Sequence, residues 1–274
     1  MTKFSSGDLA HRARKRFGQN FLVDHAVLDR IARAVHPAPG QHLVEIGPGK
    51  GALTELLVQE AGRLSVIELD RDLVPWLKIR FERYEGFELF QADALKFDFS
   101  ALAQADTPLR IVGNLPYNIS TPLIFHLLRS AHLVQDMHFM LQKEVVQRLA
   151  AQPEDKAYGR LGIMVQYYCQ VENLFEVPPG AFAPAPKVDS AVVRLVPHKE
   201  LPYRADHLPT LEKLVNLAFQ QRRKTLRNAL KQLLPVEQID ALPVDTGLRA
   251  ENISLPTYVE LSNIIAASDG FSDS

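Results

Sequence analysis

A glycine-rich loop follows the first strongly apolar segment of the chain. The sequence Val-Glu-Ile-Gly-Pro-Gly-Lys-Gly spaces its glycines as G-x-G-x-G, at Gly47, Gly49 and Gly51. Glycine lets a backbone turn sharply and approach a ligand closely. A dinucleotide loop that binds pyrophosphate is spaced G-x-G-x-x-G instead. Glu45, just before the loop, would repel a pyrophosphate and would suit a cationic group, although a local hydrogen bond or cap is the plainer interpretation.

Two further carboxylates lie at the ends of the next two predicted strands. Glu68 and Leu69 lie in Val-Ile-Glu-Leu-Asp, and Asp93 and Ala94 end Gln-Ala-Asp-Ala. A carboxylate at the position of Glu68 can accept from both ribose hydroxyls of a bound nucleoside. Asp93 can accept from an adenine amino group, whereas alone it would more often cap a helix or form a turn. With Glu45 beside a cationic amino-acid end, these residues favour S-adenosylmethionine as the cofactor.

Acceptor oxygens and one aromatic ring follow the fourth predicted strand, in Asn114-Leu115-Pro116-Tyr117. Pro116 removes a backbone donor and fixes the chain. The Asn114 side chain and the carbonyl of Leu115 or Pro116 then act as acceptors beside the flat face of Tyr117. Such a pocket suits a flat group with an exocyclic amine, such as adenine. Acceptors that draw the amine protons out of ring conjugation would make the nitrogen a better nucleophile, and they would stabilise the charge developing on it.

The elements that must position these residues alternate between strand-like and helix-like segments. Short apolar strands are predicted at 42–46, 63–69, 87–92, 109–113 and 137–141. Apolar residues at helical spacing predict helices at 25–35, 52–61, 73–84 and 120–130. Asp24 is the predicted N-cap of the first helix. This alternation implies an α/β fold with a mostly parallel, Rossmann-like sheet and helices on both faces.

The chain changes character beyond residue 160. A helix predicted at 161–170 leads into a proline-rich stretch, and 190–196 is predicted to be a late strand. Further helices are predicted at 211–218, 224–234 and 258–267. We therefore expect a catalytic, cofactor-binding domain in residues 1–200 and a smaller all-helical domain in residues 201–274.

Composition narrows the class further. The 274 residues are 46% hydrophobic and 23% charged, which is typical of a folded globular chain. The single cysteine, Cys169, excludes an internal disulfide and fits a reducing compartment. No apolar run approaches the ~18 residues of a membrane span, so the cytoplasm is the predicted location. No His and Cys residues cluster at metal-ligand spacing, and no metal is predicted.

The formal net charge of −1 argues at first against a nucleic-acid partner. The charges are segregated, however, because basic residues concentrate in 1–24 and 210–231 and acidic residues in 232–274. Residues 223, 227 and 231 recur at four-residue steps and would share a helical face able to neutralise phosphates. A solvated face is the plainer interpretation of either run. The candidate RNA-binding residues are Arg12, Arg14, Lys15, Arg16, Arg222, Arg223, Lys224, Arg227 and Lys231.

Several long motifs are distributed along the chain. They are RKRFGQNFL (14–22), VEIGPGKGALT (44–54), VIELDRD (66–72), GNLPYNISTPL (113–123), MHFMLQKEVVQRL (137–149), FAPAPKVDSAVVRL (182–195) and QRRKTLRN (221–228). Together they resemble one family, the bacterial dimethyladenosine transferases of small-subunit (16S) ribosomal RNA. The resemblance runs from about residue 11 to residue 260.

The resemblance implies a class I S-adenosylmethionine-dependent methyltransferase fold and a substrate of two adjacent adenosines in a hairpin near the 3′ end of the small-subunit RNA. Each adenosine would be dimethylated at N6 in a pre-ribosomal 30S particle, by an enzyme that we expect to be a monomer. By the motif match, Gln19, Asn20 and Leu22 would close over the methionine end of the cofactor, and Asn114 would sit between cofactor and target. Phe182 would face Tyr117 across a flipped-out adenine; a core aromatic is the plainer interpretation of Phe182.

Three other functions stay open on the sequence. A related methyltransferase acting on large-subunit RNA is the nearest alternative, although the KVDSAVVRL and QRRKTLRN segments favour the small-subunit family. A ribosome-assembly factor whose main task is binding is another, against which the intact Asn-Leu-Pro-Tyr and Glu68 argue. A nicotinamide oxidoreductase is the most distant, because the spacing of the third glycine counts against it.

Overall fold

A computed structural model describes residues 20–104, 106–221 and 223–268. These residues fall into two compact units, whose limits lie at the start of one helix and within two strands. The first unit contains residues 20–143 and 174–194, and the second contains residues 144–173 and 195–268. The division into a catalytic domain, 1–200, and a helical domain, 201–274, concerns function and stays a prediction.

The first unit is built on a sheet whose strand order is β4-β3-β2-β5-β6-β9-β7. The strands, including a separate short pair formed by β1 and β8, are β1 Phe21–Leu22, β2 His42–Ile46, β3 Arg63–Glu68, β4 Phe87–Gln91, β5 Leu109–Asn114, β6 Val134–Gln142, β7 Cys169–Val177, β8 Phe182–Ala183 and β9 Ser190–Pro197. Strands β2 to β6 pair in parallel, as the alternation of elements predicts. The α/β fold is thus confirmed.

Helices cover this sheet. They are α1 His25–Val35, α2 Ala52–Glu60, α3 Val74–Phe81 and α4 Ser120–Leu128. The next helix, α5 Lys143–Ala150, belongs to the second unit after its first residue. The α1 helix begins at the predicted cap, because the Asp24 carboxylate accepts from the backbone N–H groups of Ala26 and Val27. Successive residues of β5 from Leu109 to Gly113 are all buried, so both faces of the sheet are covered.

The second unit is largely helical. It holds α6 Arg160–Tyr168, α7 Leu208–Gln220, α8 Leu226–Leu230, α9 Val236–Asp240 and α10 Leu255–Ser268. Two buried tyrosines hold the segment that precedes α10 by hydrogen bonds. Tyr158 donates to the Ile253 carbonyl at 2.9 Å, and Tyr258 donates to the Ala250 carbonyl at 2.8 Å.

Two predictions about local structure are wrong. The helix predicted at 161–170 matches α6 as far as Tyr168 and is wrong at its last two residues, where strand β7 begins. The predicted helix at 224–234 is only Leu226–Leu230. Thr225 pairs with Arg249 as an isolated β-bridge, which prevents an earlier start. Pro235 restricts the residue before it, which disfavours a longer helix.

Candidate active site

The carboxyl ends of four parallel strands lie side by side, because β4, β3, β2 and β5 are neighbours in the sheet. A cavity of about 390 Å³ opens there, within the first unit. Its size lies in the range of small-molecule sites. The predicted site residues that line it are Asn20, Leu22, Glu45, Gly47, Gly49, Glu68, Leu69, Asp93, Ala94, Asn114, Leu115, Pro116 and Tyr117.

The glycine loop between β2 and α2 has left-handed backbone at Gly47 and Gly49, with φ of 69° and 57°. A Cβ on Gly49 would lie only 2.8 Å from Cδ1 of Phe21, so the aromatic ring of β1 rests directly on the loop. Gly51 is the N-cap of α2 and is absent from the cavity lining. A Cβ there would meet the Phe81 ring at 2.6 Å, which gives Gly51 a packing reason of its own.

Two buried carboxylates stand at the ends of β2 and β3. The Glu45 carboxylate accepts from the Thr54 hydroxyl at 2.6 Å, and that of Glu68 accepts from the Asp70 backbone N–H at 2.7 Å. Burial raises the pKa of each carboxyl to about 7. The local bond of Glu45 and its place in the cavity lining occur together, so the two interpretations of this residue are compatible.

Asp93 follows β4 and combines both interpretations made from the sequence. Its Oδ1 atom accepts from the Leu95 backbone N–H at 3.0 Å, which is a turn-forming bond. The residue also lines the cavity together with Ala94 and the half-exposed Leu69. The turn therefore holds a carboxylate at the cavity wall.

The Asn114 side chain is oriented by a bond to the segment before β1. Its Nδ2 donates to the Asn20 carbonyl at 3.0 Å, which leaves Oδ1 as the acceptor of the amide group. The Leu115 backbone N–H donates to the Met140 carbonyl at 3.2 Å, which fixes the loop to strand β6. The Tyr117 hydroxyl lies 2.8 Å from Oγ of Ser190, at the start of β9.

Phe182 is packed rather than exposed to the cavity. It is 5% exposed, belongs to the main hydrophobic core and is absent from the cavity lining. Its strand, β8, pairs antiparallel with β1, with Phe182 opposite Leu22. The predicted contact of Phe182 with a target adenine stays a prediction.

Some of the candidate RNA-binding residues lie outside the described residues, and the others lie in the second unit. Arg12, Arg14, Lys15, Arg16 and Arg222 lie outside the described residues, as does the cofactor candidate Gln19. Arg223 and Lys224 lie in the connection between α7 and α8, so the predicted single helical stripe is wrong. Arg227 forms an ion pair with Asp240, whereas Arg223, Lys224 and Lys231 are exposed.

Sequence reasoning missed several residues at this site. Asp70 and His138 line the cavity. Thr54 and Ser190 form hydrogen bonds to Glu45 and Tyr117, which also line it. His138 is 2% exposed, and neither ring nitrogen has a hydrogen-bond partner among the described residues. Burial lowers its pKa to about 4, so the ring is neutral at pH 7. Period-two alternation along β6 was the available signal, since His138 and Met140 share a face of that strand.

The residues that line the cavity fit a nucleoside with a cationic extension. Glu68 and Asp93 offer acceptors to hydroxyl and amino groups, Glu45 offers negative charge, and the glycine backbone permits close approach. No group of three or more His, Cys, Asp or Glu side chains in the described part of the chain could hold a metal ion. Among the same residues, no helix is long and apolar enough to cross a membrane.

This sheet, with its ligand loops at the strand ends, defines the chain as a class I S-adenosylmethionine-dependent methyltransferase fold with a helical C-terminal part. The family model for ribosomal RNA adenine dimethylase matches residues 10–267, and the chain belongs to that family.

Named relatives are similar over almost their whole length. Ribosomal RNA small subunit methyltransferase A of Marinobacter nauticus is 62% identical over 93% of this chain and 92% of its own. The protein of the same name from Pseudomonas aeruginosa is 60% identical over 95% of this chain and 97% of its own. Among solved structures, a dimethyladenosine transferase from Plasmodium falciparum is 26% identical, with a TM-score of 0.74 over 91% of this chain and 98% of its own. The 23S rRNA methyltransferase ErmE is 25% identical, with a TM-score of 0.70 over 90% of this chain and 99% of its own.

Proposed function

We propose that this protein transfers methyl groups from S-adenosylmethionine to the N6 amines of two adjacent adenosines in a hairpin near the 3′ end of 16S ribosomal RNA. The products are N6,N6-dimethyladenosines, made during late small-subunit biogenesis. The observation that carries the proposal is the orientation of Asn114, a residue that lines the cavity and whose Nδ2 donates to the Asn20 carbonyl, so that Oδ1 stays its acceptor. The names of the relatives from Marinobacter nauticus and Pseudomonas aeruginosa support the small-subunit substrate.

Two acceptors can hold the amine of the target adenine. The Asn114 amide cannot turn over without losing its 3.0 Å bond to the Asn20 carbonyl, so Oδ1 keeps its role. The Pro116 carbonyl already accepts from the Ile119 backbone N–H at 3.1 Å, which makes the Leu115 carbonyl the better second acceptor. Both acceptors draw the N–H bonds out of the adenine plane and stabilise positive charge on nitrogen.

S-Adenosylmethionine supplies an electrophilic sulfonium methyl group when bound. Asn114 and its neighbours would hold the amine nitrogen toward that methyl group, so that the new N–C bond would form as the S–C bond of the donor breaks. The extra proton on N6 then leaves to water. After the first transfer one N–H remains, and a single acceptor is enough to orient it for the second.

The cofactor half of the site consists of residues on four strand ends and on β1. We assign the ribose hydroxyls to Glu68, the adenine amine to Asp93, and the methionine end to the region of Glu45, Asn20 and Leu22. The walls of the cofactor site would be formed by Gly47, Gly49, Leu69 and Ala94. Gln19, which precedes Asn20 in the sequence, is also assigned to the methionine end. This assignment follows the order of the strands, because Glu68 and Asn114 are the last residues of β3 and β5, and Asp93 and Gly47 follow β4 and β2.

We assign Phe182 to the part of the site that would contact the target adenine, on one condition. Its ring is buried in the core, so a contact with the flipped base requires the side chain to turn outward. The substitution Phe182→Leu preserves apolar packing and removes the ring. If the ring contacts the base, this variant loses kcat/KM for RNA at unchanged affinity for the cofactor.

The basic residues outside the cavity are proposed to recognise the substrate particle. The protein is proposed to act as a monomer in the cytoplasm. Arg223, Lys224 and Lys231 are the described candidates with exposed side chains, and the charge of Arg227 is shared with Asp240. Replacing Lys231 by Gln should weaken binding and reduce the slope of log affinity against log salt by about 1 if it contacts a phosphate. Replacing Lys199, an exposed residue outside both basic runs, is the matched control.

The decisive experiment is methyl transfer to undermethylated small subunits with labelled S-adenosylmethionine, followed by mapping of the modified nucleotides. We expect label in two adjacent adenosines. Absence of transfer from well-folded protein would overturn the proposal. Free large-subunit RNA in a parallel reaction tests the alternative substrate, which the likeness to the 23S rRNA methyltransferase keeps relevant.

A further inference from the structure

The aromatic ring of Tyr117 needs an anchor beyond its own loop. The backbone around it is tied by the bond from Ile119 N–H to the Pro116 carbonyl and by the Ser120 hydroxyl, which donates to the Tyr117 carbonyl at 3.3 Å. Neither bond determines where the ring points, because the ring turns about two side-chain torsions. The phenol oxygen lies on the axis of the second torsion, so a contact there fixes the direction of the ring from the backbone, which a ring that stacks on a base must keep.

Ser190 supplies that contact. Its Oγ lies 2.8 Å from the Tyr117 hydroxyl, although the two residues are 73 positions apart in the sequence. The side chain of Ser190 is fully buried at the first position of β9. The preceding residue is fixed as well, because the Asp189 carbonyl accepts from the Lys143 backbone N–H at 3.0 Å. The anchor therefore stands on rigid backbone while the ring lies on a connecting loop.

The same bond connects the two segments that would enclose the target base. Residues 182–189 lead from β8 directly into Ser190, and Tyr117 belongs to the loop after β5. A hydroxyl pair between them sets the distance from the aromatic face to the end of the proline-rich segment. Loss of the Ser190 hydroxyl leaves the half-buried Tyr117 hydroxyl without its bond, which favours movement of the ring about its first side-chain torsion.

We propose that Ser190 is a positioning residue for methyl transfer, whose hydroxyl holds the Tyr117 ring in the position that stacks on the flipped adenine. It does not touch the reacting atoms and acts through Tyr117. The inference rests on the proposed function, since it presupposes an adenine in this pocket. It adds a residue of the KVDS segment to the target half of the site.

A double-mutant cycle tests the proposal, with Ser190→Ala, Tyr117→Phe and the double variant assayed on undermethylated small subunits. Each single change should lower kcat/KM for RNA roughly three- to tenfold, the value of one neutral hydrogen bond. The double variant should lose no more than the worse single variant. The Kd for S-adenosylmethionine should stay unchanged. Additive losses, or a Ser190→Ala variant with wild-type kcat/KM, would overturn the proposal.

A spectroscopic readout separates positioning from general loosening of the fold. A small-subunit substrate with 2-aminopurine at the target position should show stronger quenching on wild-type protein than on Ser190→Ala, because stacking on Tyr117 is weakened. Ser65→Ala is the control, since Ser65 is fully buried in the same unit and its hydroxyl bonds Glu88 and His42 away from the cavity. Equal changes in both variants would contradict the proposal. An inactive wild-type protein would instead refute the proposed function.

Discussion

The two halves of the cavity are held in place in different ways. In the proposed cofactor half, the carboxylates of Glu68 and Asp93 sit at the ends of parallel strands, and each accepts from the backbone N–H two residues further along the chain. In the target half, Asn114 and Tyr117 depend on partners 94 and 73 residues away. Local bonds survive small shifts of the packed elements, whereas distant ones require the whole unit to be folded.

This contrast implies a difference in sensitivity. Changes in the cofactor half should act chiefly on affinity for S-adenosylmethionine. Changes in the target half should act chiefly on the rate of transfer, because they disturb the line between the methyl carbon and the amine nitrogen. The variants below test that separation.

Asn114→Ala should have the largest effect. It removes the acceptor for the amine and the bond to Asn20, and kcat should fall by about 10²–10³-fold, as for loss of an oriented transition-state contact. The unfolding temperature should change little. Single-turnover transfer to small subunits measures the loss. Asn118→Ala, an exposed residue on the same cavity wall, is the matched control; near-normal transfer by Asn114→Ala would refute the assignment.

Glu68→Gln should come next, with the opposite signature. The amide keeps one acceptor oxygen but loses the charge-assisted bonds to the ribose hydroxyls, so KM for S-adenosylmethionine should rise about 10- to 100-fold. The value of kcat at saturating cofactor should change far less. Glu60→Gln, exposed at the end of α2, should behave as wild type. A fall in kcat alone would break the proposed separation of the two halves.

Cofactor affinity should rise with pH between about 6 and 8. The pKa of Glu45 and that of Glu68 are raised to about 7, and hydroxyl donors and a cationic ligand favour the ionised carboxylates. Each carboxylate alone gives about a tenfold change in Kd over this range. Calorimetry in buffers of different ionisation enthalpy should show proton release on binding. Affinity that does not vary with pH in the wild-type protein would contradict the assignment.

The same two carboxylates affect stability with a definite sign. Their ordinary pKa is about 4.3, so between that value and about 7 the folded state binds more protons than the unfolded state. Their contribution to the free energy of unfolding is therefore fully present below the lower value and is lost as pH rises through the higher one. Denaturant unfolding of wild type and Glu45→Gln at pH 5 and 8 isolates this contribution.

Thr54→Val should have the smallest effect on catalysis. It removes the donor to Glu45 at almost constant volume, and the free energy of unfolding should fall by about 1–3 kcal/mol. KM for small subunits should not change, because Thr54 serves only the cofactor half. Thr54→Val should also bind S-adenosylmethionine more weakly. Thr54→Ser keeps the hydroxyl and should retain most of the wild-type affinity for this cofactor. A change in KM for RNA would show that the two halves are coupled.

Sequence patterns accounted for much of the scaffold. The predicted strand at 42–46 matches β2, and the predicted helix at 25–35 with its Asp24 cap matches α1. These elements are dictated by local apolar periodicity and capping chemistry. The helix predicted at 224–234 failed because Thr225 pairs with Arg249, a residue that no local pattern connects to it. The start of β7 at Cys169 likewise depends on a neighbouring strand in the sheet.

The sequence by itself determined which chemical groups stand at the strand ends, because each motif follows its strand directly. Only the tertiary structure decided which atom of Asn114 is left to accept, which residue anchors Tyr117 and where the ring of Phe182 lies. Local preferences depend on side chains a few positions apart. Orientation and burial instead depend on the distant segments that pack against each residue, and a linear pattern does not specify those partners.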